Sequence, residues 1–359
     1  MKISSLNNIF DWLPEAPKAE ATRRLALALA GLKKIIWPIK AVILAGGYKH
    51  QEITHQQELG SDLDIFVFSN FLPLFWPQLQ KYQNRINREK FIFHYRAVLP
   101  FFLSRSKTFW AYKLKNEALI LSGGEQILDK ILAKPDSIHK IESLRILLQT
   151  FGTWIKPREL AAQPINDFTI LRVYLNIGEA YLTYFGKLAP SYKLRAAAVA
   201  EHAQTFGCSE RIKNLVLQGY LTKTDPIQAQ TGNNAPTLAS AKQDCLEALD
   251  YLSSRYLDSS AVLPDKLDQL EKQVRPDKFF NLLFGLAAKK QGFLPRFGKL
   301  ATAFNLFSLY RMIILMESGR RDEALALFQE FFRTEKFDYQ SLLSLLQIPP
   351  LPVLIEVSI

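Results

Sequence analysis

The stretch AVILAGGYKHQEITHQQELGSDLDIFVFSN, residues 41–70, decides the fold. It indicates an apolar strand that ends at Gly46 and Gly47, a polar segment, and a second strand that carries Asp62 and Asp64. Because side chains alternate along a strand, both aspartates are expected on one face, while the leucine between them points into a core. Two neighbouring carboxylates repel each other, and a divalent metal is the usual means of neutralising them.

The two glycines supply a second chemical feature beside the aspartates. Without a Cβ, Gly46 and Gly47 allow backbone amides to approach a phosphate closely. A metal next to a phosphate-binding turn is the equipment of phosphoryl and nucleotidyl transfer. The residues therefore predict phosphate contacts at the glycines and metal ligation by Asp62 and Asp64.

The composition favours a folded chain with real hydrophobic cores. Of the 359 residues, 48% are hydrophobic, and 25 Phe with 13 Tyr argue against disorder. The two cysteines provide neither a disulfide framework nor a zinc site, which is typical of a reducing compartment. No signal pattern or membrane-spanning stretch is evident, so we expect a cytoplasmic protein with no membrane partner.

The net charge of +11 is concentrated in the region that bears the aspartates. Residues 1–130 carry 18 Lys and Arg against 11 Asp and Glu, whereas the remainder carries 27 against 23. This excess suits a polyanionic ligand such as a nucleoside triphosphate or an RNA. An ordinary basic surface explains it equally well.

The hydrophobic pattern predicts an α+β fold, with a small mixed-sheet domain followed by an all-helical region. Strands are expected at 41–45, 63–69, 90–99 and 118–121, and helices at 19–34, 75–90 and 125–133. After residue 136 the pattern is helical, and the expected helices include 138–154, 167–185, 192–206, 211–220, 237–257, 265–286, 300–317 and 320–332. The domain ranges are 1–135 for the α/β domain, 136–220 for a helical domain, 221–236 for a linker or loop, and 237–359 for a further helical region.

The strand, the Gly-Gly turn and the Ser-Asp-Leu-Asp-Ile-Phe-Val segment together resemble the nucleotidyltransferase fold of the polymerase-beta superfamily. Asp62 follows Gly47 by 15 positions, at the long end of the family spacing. The segment FWAYKLKNEALIL, residues 109–121, with the SGG that follows it, is similar to a segment found after the third strand in related members. The resemblance covers residues 35–135, extends weakly over 140–206, and is not recognisable beyond 220.

The resemblance implies a role for each residue of the motif. Gly46 and Gly47 would contact the triphosphate, Asp62 and Asp64 would hold Mg²⁺ or Mn²⁺, and Ser61 would sit at the strand entrance. Lys49 or His50 would meet a phosphate, as further site residues beside the glycines.

The family also uses a third carboxylate on a later strand, and the stretch 90–99 has none. It offers His94, Tyr95 and Arg96 instead. Either the two aspartates hold the metal with His94 or water, or the chain is a degenerate member. An Arg96 that faces the site would neutralise the aspartates without a metal.

Three functions remain open at the level of sequence. The first is a metal-dependent nucleotidyltransferase that moves an NMP group from an NTP to a small molecule, a protein or an RNA. The second is a degenerate binding module that keeps the fold and binds a nucleotide or RNA. The third is a nucleic-acid-binding protein that uses basic and aromatic residues of 105–115. An amphipathic strand with a solvent-exposed basic face is a somewhat better explanation of this segment.

Overall fold

The computed structural model describes residues 9–52, 63–87, 93–98, 106–123, 126–161, 167–225, 236–276, 278–333 and 337–346. Within these residues a small mixed sheet is followed by a mostly helical remainder, which confirms the predicted α+β class. The four strands are β1 (Ala41–Ala45), β2 (Leu63–Phe68), β3 (Phe93–Val98) and β4 (Leu119–Gly123).

The sheet has the spatial order β3-β2-β1-β4. β1 pairs antiparallel with both β2 and β4, whereas β2 and β3 run parallel. β1 is buried along its whole length, as expected for a central strand composed entirely of Ala, Val, Ile and Leu. The first helices are α1 (Glu15–Leu32) and α2 (Leu72–Ile86), and both contact β3.

One face of the sheet is anchored to α1 through Tyr95. This tyrosine donates a hydrogen bond to the backbone oxygen of Ala28, and burial raises the pKa of its hydroxyl, which keeps it protonated. Along β2, Leu63 and Ile65 are fully buried, whereas Asp64 between them is partly exposed. The predicted alternation is therefore present over residues 63–65, whereas residues 66–68 are all buried.

The remaining helices extend over the rest of the described chain. They are α3 (Phe109–Glu117), α4 (Gln126–Asp129), α5 (Ile141–Thr150), α6 (Lys156–Ala161), α7 (Asp167–Tyr184), α8 (Tyr192–His202), α9 (Glu210–Thr224), α10 (Leu238–Leu257), α11 (Leu263–Gln273), α12 (Lys278–Lys290), α13 (Phe297–Ala303), α14 (Leu306–Glu317), α15 (Arg321–Phe331) and α16 (Tyr339–Leu346). A π-helical turn, Phe151–Ile155, joins α5 to α6.

Two helices predicted as continuous are broken in the structure. The predicted helix 265–286 is divided into α11 and α12, because Pro276 disfavours helical backbone at the residue before it. The predicted helix 300–317 is divided into α13 and α14 at Asn305, whose side chain accepts hydrogen bonds from the backbone nitrogens of Phe307 and Ser308.

The described residues form two compact units. Unit 1 comprises those of 9–139 and 185–225, and unit 2 comprises those of 140–184 and 236–346. The α/β region thus shares a unit with α8 and α9, whereas the ranges expected from the sequence assign these helices to a separate domain. Residues 347–359 lie outside the described residues.

No single helix of the described chain is both long enough and apolar enough to cross a membrane. Only the pair 297–303 and 307–317 meets the requirement jointly, and it is bent by 96°.

Candidate functional site

The end of β1 lies beside Asp64 of β2. Ala45 pairs with Asp64 in the antiparallel register, and Gly46 follows directly. Gly46 has a φ of 97°, a left-handed conformation that favours glycine. A Cβ at this position would meet nothing closer than the ring of Tyr48, at 3.9 Å, so space opens next to the Gly46 backbone. A ligand group can approach the backbone here.

Gly47 has a different structural reason to be glycine. A Cβ at this position would lie 1.7 Å from the backbone oxygen of Glu52. Glu52 closes the turn by donating its backbone N–H to the oxygen of Gly47, at 2.8 Å. Glycine is therefore needed at position 47 because the backbone of Glu52 occupies the space that a side chain would fill. A phosphate contact at Gly47 remains an expectation.

Glu52 connects this turn to the start of α8. Its two carboxylate oxygens accept hydrogen bonds from the backbone nitrogens of Tyr192, at 2.5 Å, and Lys193, at 3.0 Å. Ser191 caps the next amide, that of Leu194. A carboxylate is stabilised at this position because the first amides of a helix have no partner within it. Glu52 is buried, and both of its carboxylate oxygens are hydrogen-bonded to α8, so neither oxygen is available to a metal ion.

Asp64 forms an ion pair with Arg96 of β3. The Nε of Arg96 lies 3.1 Å from Oδ1 of Asp64, and the side chains are 32% and 26% exposed, respectively. His94 is directly opposite Asp64 in the parallel register, and Arg96 is two residues further along the same face. The sheet end thus presents one carboxylate, one imidazole and one guanidinium to the same side.

This arrangement does not match a two-metal site within the described residues. No group of three or more His, Cys, Asp or Glu side chains with metal-binding geometry occurs among them. A guanidinium faces the carboxylate at the strand where the family would supply a third acid. The arrangement present is the alternative in which Arg96 neutralises Asp64.

Asp62 and Ser61 lie outside the described residues. The expectation that Asp62 lies beside Asp64 therefore stays a prediction. It rests on the alternation that β2 shows over residues 63–65.

Lys49 and His50 differ in their surroundings. Lys49 is exposed in the 3₁₀ turn Gly47–His50 and remains available to an anion near Gly46. His50 is half-buried, and its Nε2 lies 3.0 Å from the backbone oxygen of Asn116 in α3. This imidazole therefore joins the turn to α3.

From Phe109 onwards, the basic and aromatic segment forms the helix α3 rather than a strand. Thr108 caps α3 by accepting a hydrogen bond from the backbone nitrogen of Ala111. Phe109 and Tyr112 are buried, so neither offers a ring for stacking on a base. The amphipathic-strand interpretation of this segment was wrong, and Arg105 lies outside the described residues.

A buried ion pair that the sequence did not reveal joins α3 to α8. Arg195 donates from Nη2 to Oε1 of Glu117, and from Nε to the backbone oxygen of Ala189 at 2.8 Å. Nearby, the Tyr112 hydroxyl donates to the oxygen of Leu188, and burial raises the pKa of Tyr112. The two charged residues are 78 positions apart, and no local pattern indicates their contact.

Comparison with protein-family models, with curated proteins and with solved structures found no match. The resemblance to nucleotidyltransferases therefore rests on the sequence segments that carry it.

Proposed function

We propose that the sheet end of unit 1 binds a nucleoside triphosphate, as a nucleotidyltransferase-like module in which Arg96 provides the central positive charge. The observation that carries this proposal is the Asp64–Arg96 ion pair next to the open backbone of Gly46. A guanidinium has five N–H donors, and the contact to Asp64 uses the one on Nε. The others match the oxygens of a phosphate group.

Asp64 positions Arg96 in this proposal. The pair is partly exposed, so the attraction between its members is weak, about 0–1 kcal/mol, and a phosphate can compete for the guanidinium. Lys49 adds a second, exposed cation on the turn that follows Gly46. The positive excess of residues 1–130 further favours an anionic ligand.

A second candidate function is metal-dependent transfer of an NMP group. The observation that favours it is the Asp62–Asp64 spacing together with the partial exposure of Asp64, which leaves the carboxylate accessible to a cation. Mg²⁺ held by the two aspartates would stabilise charge on the reacting phosphates. This chain's own residues would orient the nucleotide through Gly46 and Lys49.

The substitution Asp64→Asn distinguishes the two functions, because it keeps the shape of the side chain and removes its charge. The binding module should bind ATP in EDTA, and Asp64→Asn should bind it equally or more tightly because a negative charge near the phosphates is gone. The metal-dependent enzyme should need Mg²⁺, and the same variant should lose the effect of Mg²⁺.

Thermal melts with ATP, in EDTA or in Mg²⁺, provide the readout. A ligand at a hundredfold its Kd stabilises the folded state by about 2.7 kcal/mol. Release of pyrophosphate in a parallel assay would establish the enzyme. If ATP does not change the melting temperature of the wild type in either EDTA or Mg²⁺, both candidates are refuted.

A further inference from the structure

Four apolar side chains protrude into solvent at the opposite end of the sheet. We call Ile36, Trp37, Phe71 and Leu74 the apolar tip, and their exposed fractions are 91%, 39%, 41% and 59%. The rings of Trp37 and Phe71 are stacked, with centroids 5.6 Å apart. Exposed side chains that form a contiguous apolar patch mark an interaction site more often than isolated ones do.

The backbone beneath the apolar tip is held firmly. Ser69 donates its hydroxyl to the oxygen of Pro38 at 2.6 Å and accepts the backbone N–H of Phe71 at 3.0 Å. Lys40 donates its backbone N–H to the oxygen of Phe68 at 2.8 Å. These bonds tie the segment before β1 to the segment after β2, so the aromatic pair is presented on a fixed base.

The surroundings of the apolar tip are basic. Three exposed lysines, Lys33, Lys34 and Lys40, lie within four residues of Ile36 and Trp37 along the chain. Within the segments 33–45 and 63–74 the only acidic residue, Asp64, is at the far end of β2 and is paired with Arg96. The charge of this surface is therefore complementary to an anionic partner.

We propose that the apolar tip docks on an anionic lipid surface. Trp and Phe are side chains that enter the interfacial region of a bilayer, and lysines next to them are attracted to anionic headgroups. The tip offers four side chains, far fewer than the 20–30 residues that each partner contributes to a standard protein interface. A small apolar tip with a basic rim suits shallow insertion between headgroups.

This inference revises one expectation drawn from the sequence. No membrane partner was expected because the chain lacks a membrane-spanning stretch, but lying on a membrane surface does not need one. It is also independent of the proposed nucleotide site. β1 lies between Lys40 at the apolar tip and Gly46 at the site, and its five residues span roughly 15 Å, so docking leaves the site open.

Flotation of the full-length protein with lipid vesicles tests the proposal. One set of vesicles contains phosphatidylcholine alone, and the other contains phosphatidylcholine with phosphatidylserine. The affinity of the protein for the anionic vesicles should be at least about tenfold higher than for the neutral ones, and added salt should release the protein from the anionic vesicles. Equal or absent binding to the two kinds of vesicle would overturn the proposal.

The double variant Ile36→Ser, Leu74→Ser removes apolar surface from the tip. Both side chains are exposed, so the variant leaves the hydrophobic core unchanged. It should bind anionic vesicles about tenfold more weakly. The matched control is Leu194→Ser on α8, whose side chain is 52% exposed, and it should bind as the wild type does. Equal binding by the double variant and the wild type would contradict the assignment of this surface.

Two further measurements make the test specific. The tryptophan emission of the wild type should shift to the blue with anionic vesicles, and Trp37→Phe should remove most of that shift. Sedimentation should show the same oligomeric state for the wild type and the double variant. Suppose instead that the wild type is a dimer, that the double variant is a monomer, and that the wild type does not bind vesicles. This result would assign the apolar tip to a second copy of the chain and refute lipid docking.

Discussion

Unit 1 contains two arginine–carboxylate pairs that differ in their access to water. Arg195 and Glu117 are buried between α3 and α8, whereas Arg96 and Asp64 are about a third and a quarter exposed at the sheet end. A buried pair has lost its hydration, so each member depends on the other. A partly exposed pair keeps water as an alternative partner, and its members can exchange it for a ligand. We therefore expect the first pair to contribute to stability, and the second is the one that we propose for binding.

The surroundings of the two pairs support this assignment. Glu117 also lies 3.8 Å from the ammonium of Lys113, which is itself 5.1–5.5 Å from the ring centres of Phe109, Trp110 and Tyr192. These contacts link α3 to α8 with charges and rings that leave little room for a ligand. Asp64, in contrast, lies beside the open backbone of Gly46.

The largest expected effect comes from removing the buried arginine. Arg195→Met should reduce the free energy of unfolding by about 3–5 kcal/mol, because it leaves the Glu117 carboxylate buried without its main partner. Arg96→Met should reduce it by no more than about 1 kcal/mol. Urea denaturation, with hydrogen exchange of α3 and α8 amides as a local probe, measures both. If the two variants lose similar amounts of unfolding free energy, the proposed difference between the two ion pairs is wrong.

The second effect concerns the turn that Gly47 and Glu52 form. Gly47→Ala should cost about 1–3 kcal/mol, because its Cβ would overlap the backbone oxygen of Glu52 and weaken the cap on α8. Gly298→Ala is the matched control, since nothing lies within 4 Å of its Cβ position and it occupies the helix α13. The control should stabilise by about 0.5–1 kcal/mol. A neutral Gly47→Ala would show that the turn adapts easily.

The third effect uses a charge network of intermediate burial in unit 2. Lys156 and Lys242 each contact both Glu159 and Glu317, and Tyr339 donates its hydroxyl to Glu317 at 3.0 Å. Burial raises the pKa of Glu317, but hydrogen bonds from the two lysines outweigh it, so the net pKa lies below the ordinary value of 4.5. The same balance lowers the pKa of Glu159.

A carboxylate with a lowered pKa in the folded state stabilises the protein fully above the unfolded-state value, and that contribution is lost as pH falls through the folded-state value. The melting temperature of the wild type should therefore fall steeply as the pH drops below about 4.5. Glu317→Gln should flatten this dependence, whereas Glu330→Gln, on the exposed side of α15, should not. Parallel curves for all three proteins would contradict the role of the network.

The smallest expected effect on stability is that of Asp64→Asn. The variant should lose less than about 1 kcal/mol, because water replaces part of the lost attraction to Arg96. Thermal or urea denaturation without ligand measures this loss. A cost comparable to that of Arg195→Met would mean that the sheet-end pair is structural and would weaken the nucleotide proposal.

Most of the fold was predictable because its signals are local. β1 lies where an uninterrupted apolar run ends at Gly46, and β2 begins where the alternation around Asp64 begins. The two missed breaks also had local signals. Pro276 and the cap formed by Asn305 with Ser308 are both readable in the sequence.

The site was only partly predictable because its decisive contacts are long-range. Arg96 was recognisable as a partner of Asp64 because the predicted strand 90–99 carries it. The carboxylate of Glu52, in contrast, caps a helix 140 residues further along the chain, and Glu117 pairs with Arg195 across 78 residues. Neither contact follows from spacing or periodicity, since both depend on how α8 packs within unit 1.

Equilibrium titration of ATP in EDTA tests the central claim most directly, namely that Arg96 supplies the positive charge at the sheet end. The wild type should bind without Mg²⁺, and Arg96→Gln should bind at least about tenfold more weakly, since it loses a charge-assisted contact to phosphate. Arg23→Gln is the control, because Arg23 forms a comparable ion pair with Glu20 on α1, and it should bind as the wild type does. Binding that requires Mg²⁺ and is unchanged in Arg96→Gln would contradict the claim.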